Sequence, residues 1–259
     1  MLTTLAGGAE NVSSQKTDIS LKEVADAVIR RGEKFVVMED YKGLLYIQSM
    51  AELAVATGSE QMKNDVIAVL KEFEEGKRTG FGSFSCYETG GNAVPYLALN
   101  GVETLRALSV STAEKMWKEQ PKNRDGHMVP DTWYMQNNPI FIDCALAVTT
   151  YLLYTGLLVN NQEYIDYAVW MTTSMWDILY DADSGLIHQA RGCKGHPEGF
   201  ITEDCWSRGN GWLSLALGTL LKNLPAKHPQ RKHVEKIAKQ YFTAVIKYQD
   251  EEGLWHQEM

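Results

Sequence analysis

Basic residues are in short supply: 25 lysines and arginines stand against 33 aspartates and glutamates, for a net charge of −8. Such a chain has no electrostatic reason to bind nucleic acid or an anionic membrane surface, and neither is expected as a partner. An acidic ligand would need a local cation. Cysteine is scarce too, and Cys86, Cys144, Cys193 and Cys205 form no CxxC pair. Neither zinc spacing nor a disulfide framework is expected, and Cys144 reads as a small core residue. No apolar run has the length of a membrane span. The segment 1–16 lacks the charged-then-apolar layout of a secretory leader, and 1–17 is expected to be a poorly ordered tail that includes the Asn11-Val12-Ser13 glycosylation triplet. There is no Gly-rich phosphate loop after a strand, no Gly-x-Ser-x-Gly elbow and no metal-ligand spacing. No metal and no cofactor are expected.

What the chain has in quantity is helical periodicity, and it comes in two kinds. One kind is amphipathic: Met62, Val66, Val69, Leu70 and Phe73 share a face, as do Tyr164, Ala168, Met171 and Met175, and Val234, Ile237, Ala238, Tyr241, Val245 and Tyr248. The other is apolar nearly all round, as at 43–57, 140–154 and 211–222, and must be surrounded by protein. The predicted order alternates: amphipathic 20–35, apolar 43–57, amphipathic 60–74, apolar 93–103, amphipathic 106–119, apolar 140–154, amphipathic 162–178, apolar 211–222, amphipathic 232–248. Buried helices ringed by half-exposed ones make an all-α toroid of helical hairpins, drawn as a single domain over 18–259. A repeat supports it: Asp183-Ser184-Gly185-Leu186-Ile187-His188-Gln189 recurs as Glu251-Glu252-Gly253-Leu254-Trp255-His256-Gln257, each time after an amphipathic helix.

Inner-to-outer turns are short, with Gly58 and Gly156 placed for helix C-termini, whereas outer-to-inner loops at 75–92, 120–139 and 181–210 are long. Long loops in a compact domain usually carry function, and these lead into the N-termini of the inner helices. Those entrances bring Tyr41 and Lys42, Tyr87 and Glu88, Asp143, and the heptad Trp206-Ser207-Arg208-Gly209-Asn210-Gly211-Trp212 to one cavity. The heptad reads as a loop with a Gly-Asn-Gly turn ending where a buried helix begins. Tryptophan faces stack on sugar rings and arginine pairs bidentately with carboxylates, so the ligand expected is an acidic oligosaccharide. Asp143, inside an apolar run, is the candidate acid, with Glu88 as the like charge that raises its pKa. His188 is a candidate substrate contact with a role in loop closure as its rival, and His127 is expected to be exposed.

Phe141-Ile142-Asp143 before a buried helix, Ser184-Gly185-Leu186-Ile187-His188 and the Trp206–Trp212 heptad, in this order, resemble the unsaturated glycuronyl hydrolases. The match is to the unsaturated rhamnogalacturonyl hydrolases of glycoside hydrolase family 105, with family 88 as sibling, from about Tyr41 to Gln257. The resemblance implies an (α/α)6-barrel and removal of a 4,5-unsaturated uronic acid from the non-reducing end of lyase-generated oligosaccharides. It gives Asp143 the role of proton donor to C4 and base for the water at C5, and Glu88 the place of the second family carboxylate. Arg208, with Lys42 as helper, would hold the substrate carboxylate, beside Tyr41, His188, Trp206 and Trp212. Two other readings stand beside it: an inverting glycosidase pairing Asp143 with Glu203 or Asp204, and an oligosaccharide-binding toroid without catalysis. The ring is expected to be cut short after about nine helices, with Leu44, Ile47, Met50, Tyr241 and Val245 exposed at the gap. That gap would be closed by further chain or by a second copy, giving a monomer or a homodimer.

Overall fold

The structure, a computed structural model, describes residues 20–80, 84–130 and 135–259. The expected tail at 1–17 and its glycosylation triplet lie outside these. Where the sequence suggests one domain over 18–259, contacts divide the chain into two compact units, Met1–Val36 and Val37–Met259. The first contains α1 (Leu21–Phe35), whose start is a capping box: Ser20 accepts from the Glu23 amide while Glu23 reaches back to Ser20. Its apolar residues Leu21, Val24, Val28 and Phe35 are exposed.

The second unit is built of helical hairpins. They pair α2 (Tyr41–Thr57) with α3 (Glu60–Glu74), α5 (Ala93–Leu99) with α6 (Arg106–Glu119), α7 (Thr150–Val159) with α8 (Gln162–Leu179), and α9 (Ser207–Asn223) with α10 (Arg231–Val245). A single turn, α4 (Ser85–Glu88), precedes α5. The first helix of each pair packs on the first helix of the next, α2 on α5, α5 on α7 and α7 on α9. This is the inner row of a toroid, and its middle helices are the most apolar because they have protein on every side. Every residue from Ala145 to Gly156 is buried, whereas α3, α8 and α10 bury a single stripe.

Several boundaries differ from those expected. The helix drawn from 140 does not begin there: Ile140–Phe141 (β1) pairs antiparallel with Ala190–Arg191 (β2), and Ala145–Thr149 forms a π-helical turn before α7. The backbone at β1 is claimed by a neighbouring strand, a tertiary choice that periodicity cannot register. A π turn inside an α-helix often accompanies a functional position, and this one begins two residues after Asp143. α7 runs through Gly156 and ends on Asn160 in the left-handed region (φ 54°). α9 starts at Ser207, so the Gly-Asn-Gly segment lies inside its first turns rather than in a loop.

Of the flanks expected to be exposed, Leu44, Ile47 and Tyr241 are buried, while Met50 and Val245 are partly exposed. Leu44 and Ile47 join a core cluster with residues of α3 and α5, and Tyr241 is wholly buried. Tyr241 packs edge-on to Trp176 and its hydroxyl meets Ser214. The large apolar side chains exposed near that end are Ile246, Leu254 and Trp255.

The repeat is a structural unit. In its first copy the Gly185 amide donates to Asp181 O while the Asp181 side chain caps the amides of Asp183 and Ser184; in the second, Gly253 donates to Asp250 O and Asp250 caps Glu252 and Leu254. Both glycines take positive φ, 77° and 84°. The closing glutamines serve alike. Gln189 O accepts from the Ile142 amide at 3.2 Å, and Gln257 O from the Ser207 amide at 3.0 Å. Each loop thus latches the backbone one residue before Asp143 or Arg208.

Candidate active site

The entrances of the inner helices surround a cavity of about 350 Å³. α2 contributes Tyr41, Leu44, Leu45 and Gln48; the segment entering α5 contributes Phe84, Tyr87, Gly91 and Asn92. Pro130, Phe141, Asp143, Leu146 and Gln189 line a second side, and Trp206, Arg208 and Trp212 of the heptad a third. Gly209 makes the last two sides meet: a Cβ there would lie 2.9 Å from both Ile142 Cγ2 and the Trp206 ring. Asn210 is turned away from the cavity. Its side chain accepts from the Ile187 amide and donates to Ile187 O and Trp206 O, stitching the repeat loop to α9.

Asp143 is the only carboxylate among the described residues that line this cavity. Burial raises its pKa above the ordinary aspartate value, against the opposing pull of its own backbone, of Arg208 and of the Trp212 indole. Among the described residues no second carboxylate contributes to the shift. The Arg208 guanidinium lies over the Trp206 ring at 4.1 Å and over the Tyr41 ring at 5.5 Å, and its side chain is exposed. Among the described residues no carboxylate stands within ion-pair distance of it. Tyr41 in turn meets Trp212 edge-on, with centroids 5.9 Å apart. The result is an aromatic floor with one cation over it and one partly buried acid beside it.

Of the residues expected from sequence, Tyr41, Asp143, Trp206, Arg208 and Trp212 come together. Glu88 does not: it is exposed and paired with Lys115 at 2.6 Å, so the like-charge pair with Asp143 is not formed. Its neighbour Tyr87 lines the wall instead, the hydroxyl pKa pushed well up by burial and by charge at Cys86 and Asp143. Lys42 pairs with Asp40 at 3.1 Å and does not line the cavity. His188 is partly buried off the cavity, while Gln189 faces it. Glu203 and Asp204 are likewise absent from the wall. His127, expected exposed, is 1% exposed, stacked on Trp170 and bonded through Nε2 to Ser174 Oγ at 2.9 Å. The residues not anticipated are the amides Asn92, Gln48 and Gln189. For Asn92 a signal was present, since it stands immediately before an apolar helix after two glycines. Among the described residues no group of His, Cys, Asp and Glu is gathered closely enough to hold a metal ion.

Comparisons with known proteins bear on the family and the fold. The model of Glycosyl Hydrolase Family 88 matches residues 20–259. The unsaturated rhamnogalacturonyl hydrolase YesR of Bacillus subtilis is 22% identical over 239 residues, covering 90% of this chain and 68% of its own length. A family 105 glycoside hydrolase from C. acetobutylicum superposes with a TM-score of 0.73 at 21% identity, covering 92% of this chain and 68% of that one. A possible member of the GH105 family from Salmonella enterica superposes at 0.69 with 22% identity over 82% of this chain, which spans 56% of that protein. At these identities the structural likeness establishes the fold, that of the (α/α)6-barrel hydrolases. With the family model covering nearly the whole sequence, the chain belongs to glycosyl hydrolase family 88.

Proposed function

We propose that the cavity takes the non-reducing end of an acidic oligosaccharide and hydrates the C4=C5 bond of a 4,5-unsaturated uronyl residue. Asp143 in its neutral form donates a proton to C4, and the positive charge left behind is shared by C5 and the ring oxygen. Water adds at C5 and gives its proton to the Asp143 carboxylate. The hemiketal opens to a ketone at C5, the ring oxygen becomes the hydroxyl of a hemiacetal at C1, and its collapse releases the leaving sugar. Arg208, flattened on Trp206, pairs with the uronate carboxylate. The names of YesR and of the 3S-rhamnoglycuronyl hydrolase from Alteromonas, 24% identical over 102 residues, are consistent with an unsaturated substrate.

The observation that carries this reading is the single carboxylate. An inverting glycosidase needs an acid and a separate base, roughly 6.5–9.5 Å apart across the bond. Among the described residues this cavity offers Asp143 alone, and one carboxyl suffices where the same group both gives and takes the proton. Paired substrates test it: an unsaturated uronyl disaccharide should lose its ultraviolet absorbance while its saturated counterpart stays intact. Cleavage of the saturated compound at a comparable rate would overturn the reading in favour of ordinary glycoside hydrolysis.

A further inference from the structure

Two polar atoms on the cavity wall are buried and complete no hydrogen bond among the described residues: Trp212 Nε1 and Asn92 Oδ1. The indole N–H faces the Asp143 carboxyl and helps hold down its pKa. Asn92 has no such counterpart. It is 5% exposed and sits at the entrance of α5, where the sequence suggested a carboxylate.

The orientation of its amide is settled by what surrounds it. Leu146 O can only accept, and it lies 3.4 Å from Asn92 Nδ2. The same nitrogen lies 3.3 Å from Gln48 Oε1, and Gln48 Nε2 donates in turn to Glu52 Oε1 at 2.9 Å. Glu52, an acceptor when ionised, fixes Gln48; Gln48 and Leu146 together fix Asn92. Both N–H groups of Asn92 are thereby engaged inside the protein, leaving its carbonyl oxygen as the unmet acceptor. A buried acceptor without a donor is destabilising, and a ligand hydroxyl removes that cost.

We propose that Asn92 is a specificity-determining residue whose Oδ1 accepts a hydrogen bond from a ring hydroxyl of the substrate, with Gln48 and Glu52 as the positioning residues that hold its amide in that sense. The inference rests on the reading that the cavity takes the uronyl end of an oligosaccharide. Its chemistry suits that ligand. A neutral acceptor reads a hydroxyl without setting a second negative charge against the uronate carboxylate, and it leaves Asp143 as the one carboxylate on the wall among the described residues.

The test compares wild type, Asn92→Ala, Asn92→Asp and Glu52→Gln on an unsaturated uronyl disaccharide and on analogues lacking one uronyl hydroxyl each. Asn92→Ala should lower kcat/KM roughly 10- to 100-fold on the full substrate. Against one of the analogues it should cost almost nothing, and that analogue should already be poor for wild type. Asn92→Asp should raise KM for the anionic substrate and move the alkaline limb of the rate profile to higher pH, because a second carboxylate opposes ionisation of Asp143. Glu52→Gln should show the same hydroxyl dependence in weaker form. Equal losses on every analogue, or an Asn92→Asp profile superposable on wild type, would overturn the proposal. Calorimetric binding of the same analogues to Asp143→Asn reads the hydroxyl without turnover. A hydroxyl effect on binding with no wild-type turnover would therefore count against the hydrolase reading and not against Asn92.

Discussion

Asp143 and His127 are two partly or wholly buried titratable groups among aromatic rings, each pushed towards its neutral form, and only one of them lies at a cavity. Burial raises Asp143 and lowers His127, the latter to about 4. Around His127 the protein packs closely, although Nδ1 is buried without a hydrogen-bond partner among the described residues. The ring stacks on Trp170, Nε2 meets Ser174, and the loop beneath is closed by Asn123, whose Oδ1 accepts from the amides of Asp125 and His127. Around Asp143 the wall is left with an exposed guanidinium, an amide oxygen and an indole N–H that the chain does not satisfy. A shifted pKa therefore does not separate a working group from a packed one in this molecule. Position does: Asp143 lines the cavity and His127 does not.

The largest expected effect sharpens that contrast. Asp143→Asn should lower kcat by roughly 10²- to 10⁴-fold, the range for loss of a general acid–base group, while oligosaccharide binding by calorimetry is retained. The same variant should melt higher than wild type at neutral pH. The folded state raises the Asp143 pKa, so ionisation opposes folding above the ordinary aspartate range and the gain should vanish in acid. A lower melting temperature at neutral pH would show that the carboxylate is a structural anion.

Arg208→Lys comes next. The charge is kept but the flat, bidentate group over Trp206 is lost, and kcat/KM for the acidic substrate should fall roughly tenfold or more. An unchanged specificity constant would remove Arg208 from the recognition of the substrate.

On the other side of the comparison, His127→Gln should leave the pH dependence of turnover in place and alter only stability. The His127 pKa falls on folding, so its neutral form supports the fold above the ordinary value of 6.5, and that support drains away as pH drops towards about 4. Thermal melts across that window should show a shallower acid loss in the variant than in wild type. A changed rate profile would place His127 in the chemistry.

The alternation of buried and half-exposed helices, the four hairpins of the second unit and the repeated loop were all legible in the sequence. So was the meeting of Tyr41, Asp143, Trp206, Arg208 and Trp212. The errors at the site share one form. Lys42, Glu88 and His188 were expected on the wall, and in each case the adjacent residue is the one that lines it: Tyr41 and Tyr87 (both themselves expected) and Gln189. Spacing tells which segment reaches the cavity. Which of two neighbours turns inward depends on a helix rotation of about 100° per residue or on the alternation of an extended strand, and that is set by tertiary contacts such as the β1–β2 pair. Asn92 was missed for a different reason: an amide becomes informative only when its partners are known.

The smallest expected effect, and the one most at odds with charge counting, is that of Glu88→Gln. Its carboxylate is committed to Lys115 at the surface, so the pH–rate profile should not move.

Asp143→Asn and Glu88→Gln together give the most direct measurement of the central claim, that one buried carboxyl carries the proton both ways. Loss of ultraviolet absorbance from an unsaturated uronyl disaccharide should proceed at the wild-type rate in Glu88→Gln and stop in Asp143→Asn. Turnover by Asp143→Asn at a wild-type rate, or a Glu88→Gln protein that binds but does not turn over, would contradict it.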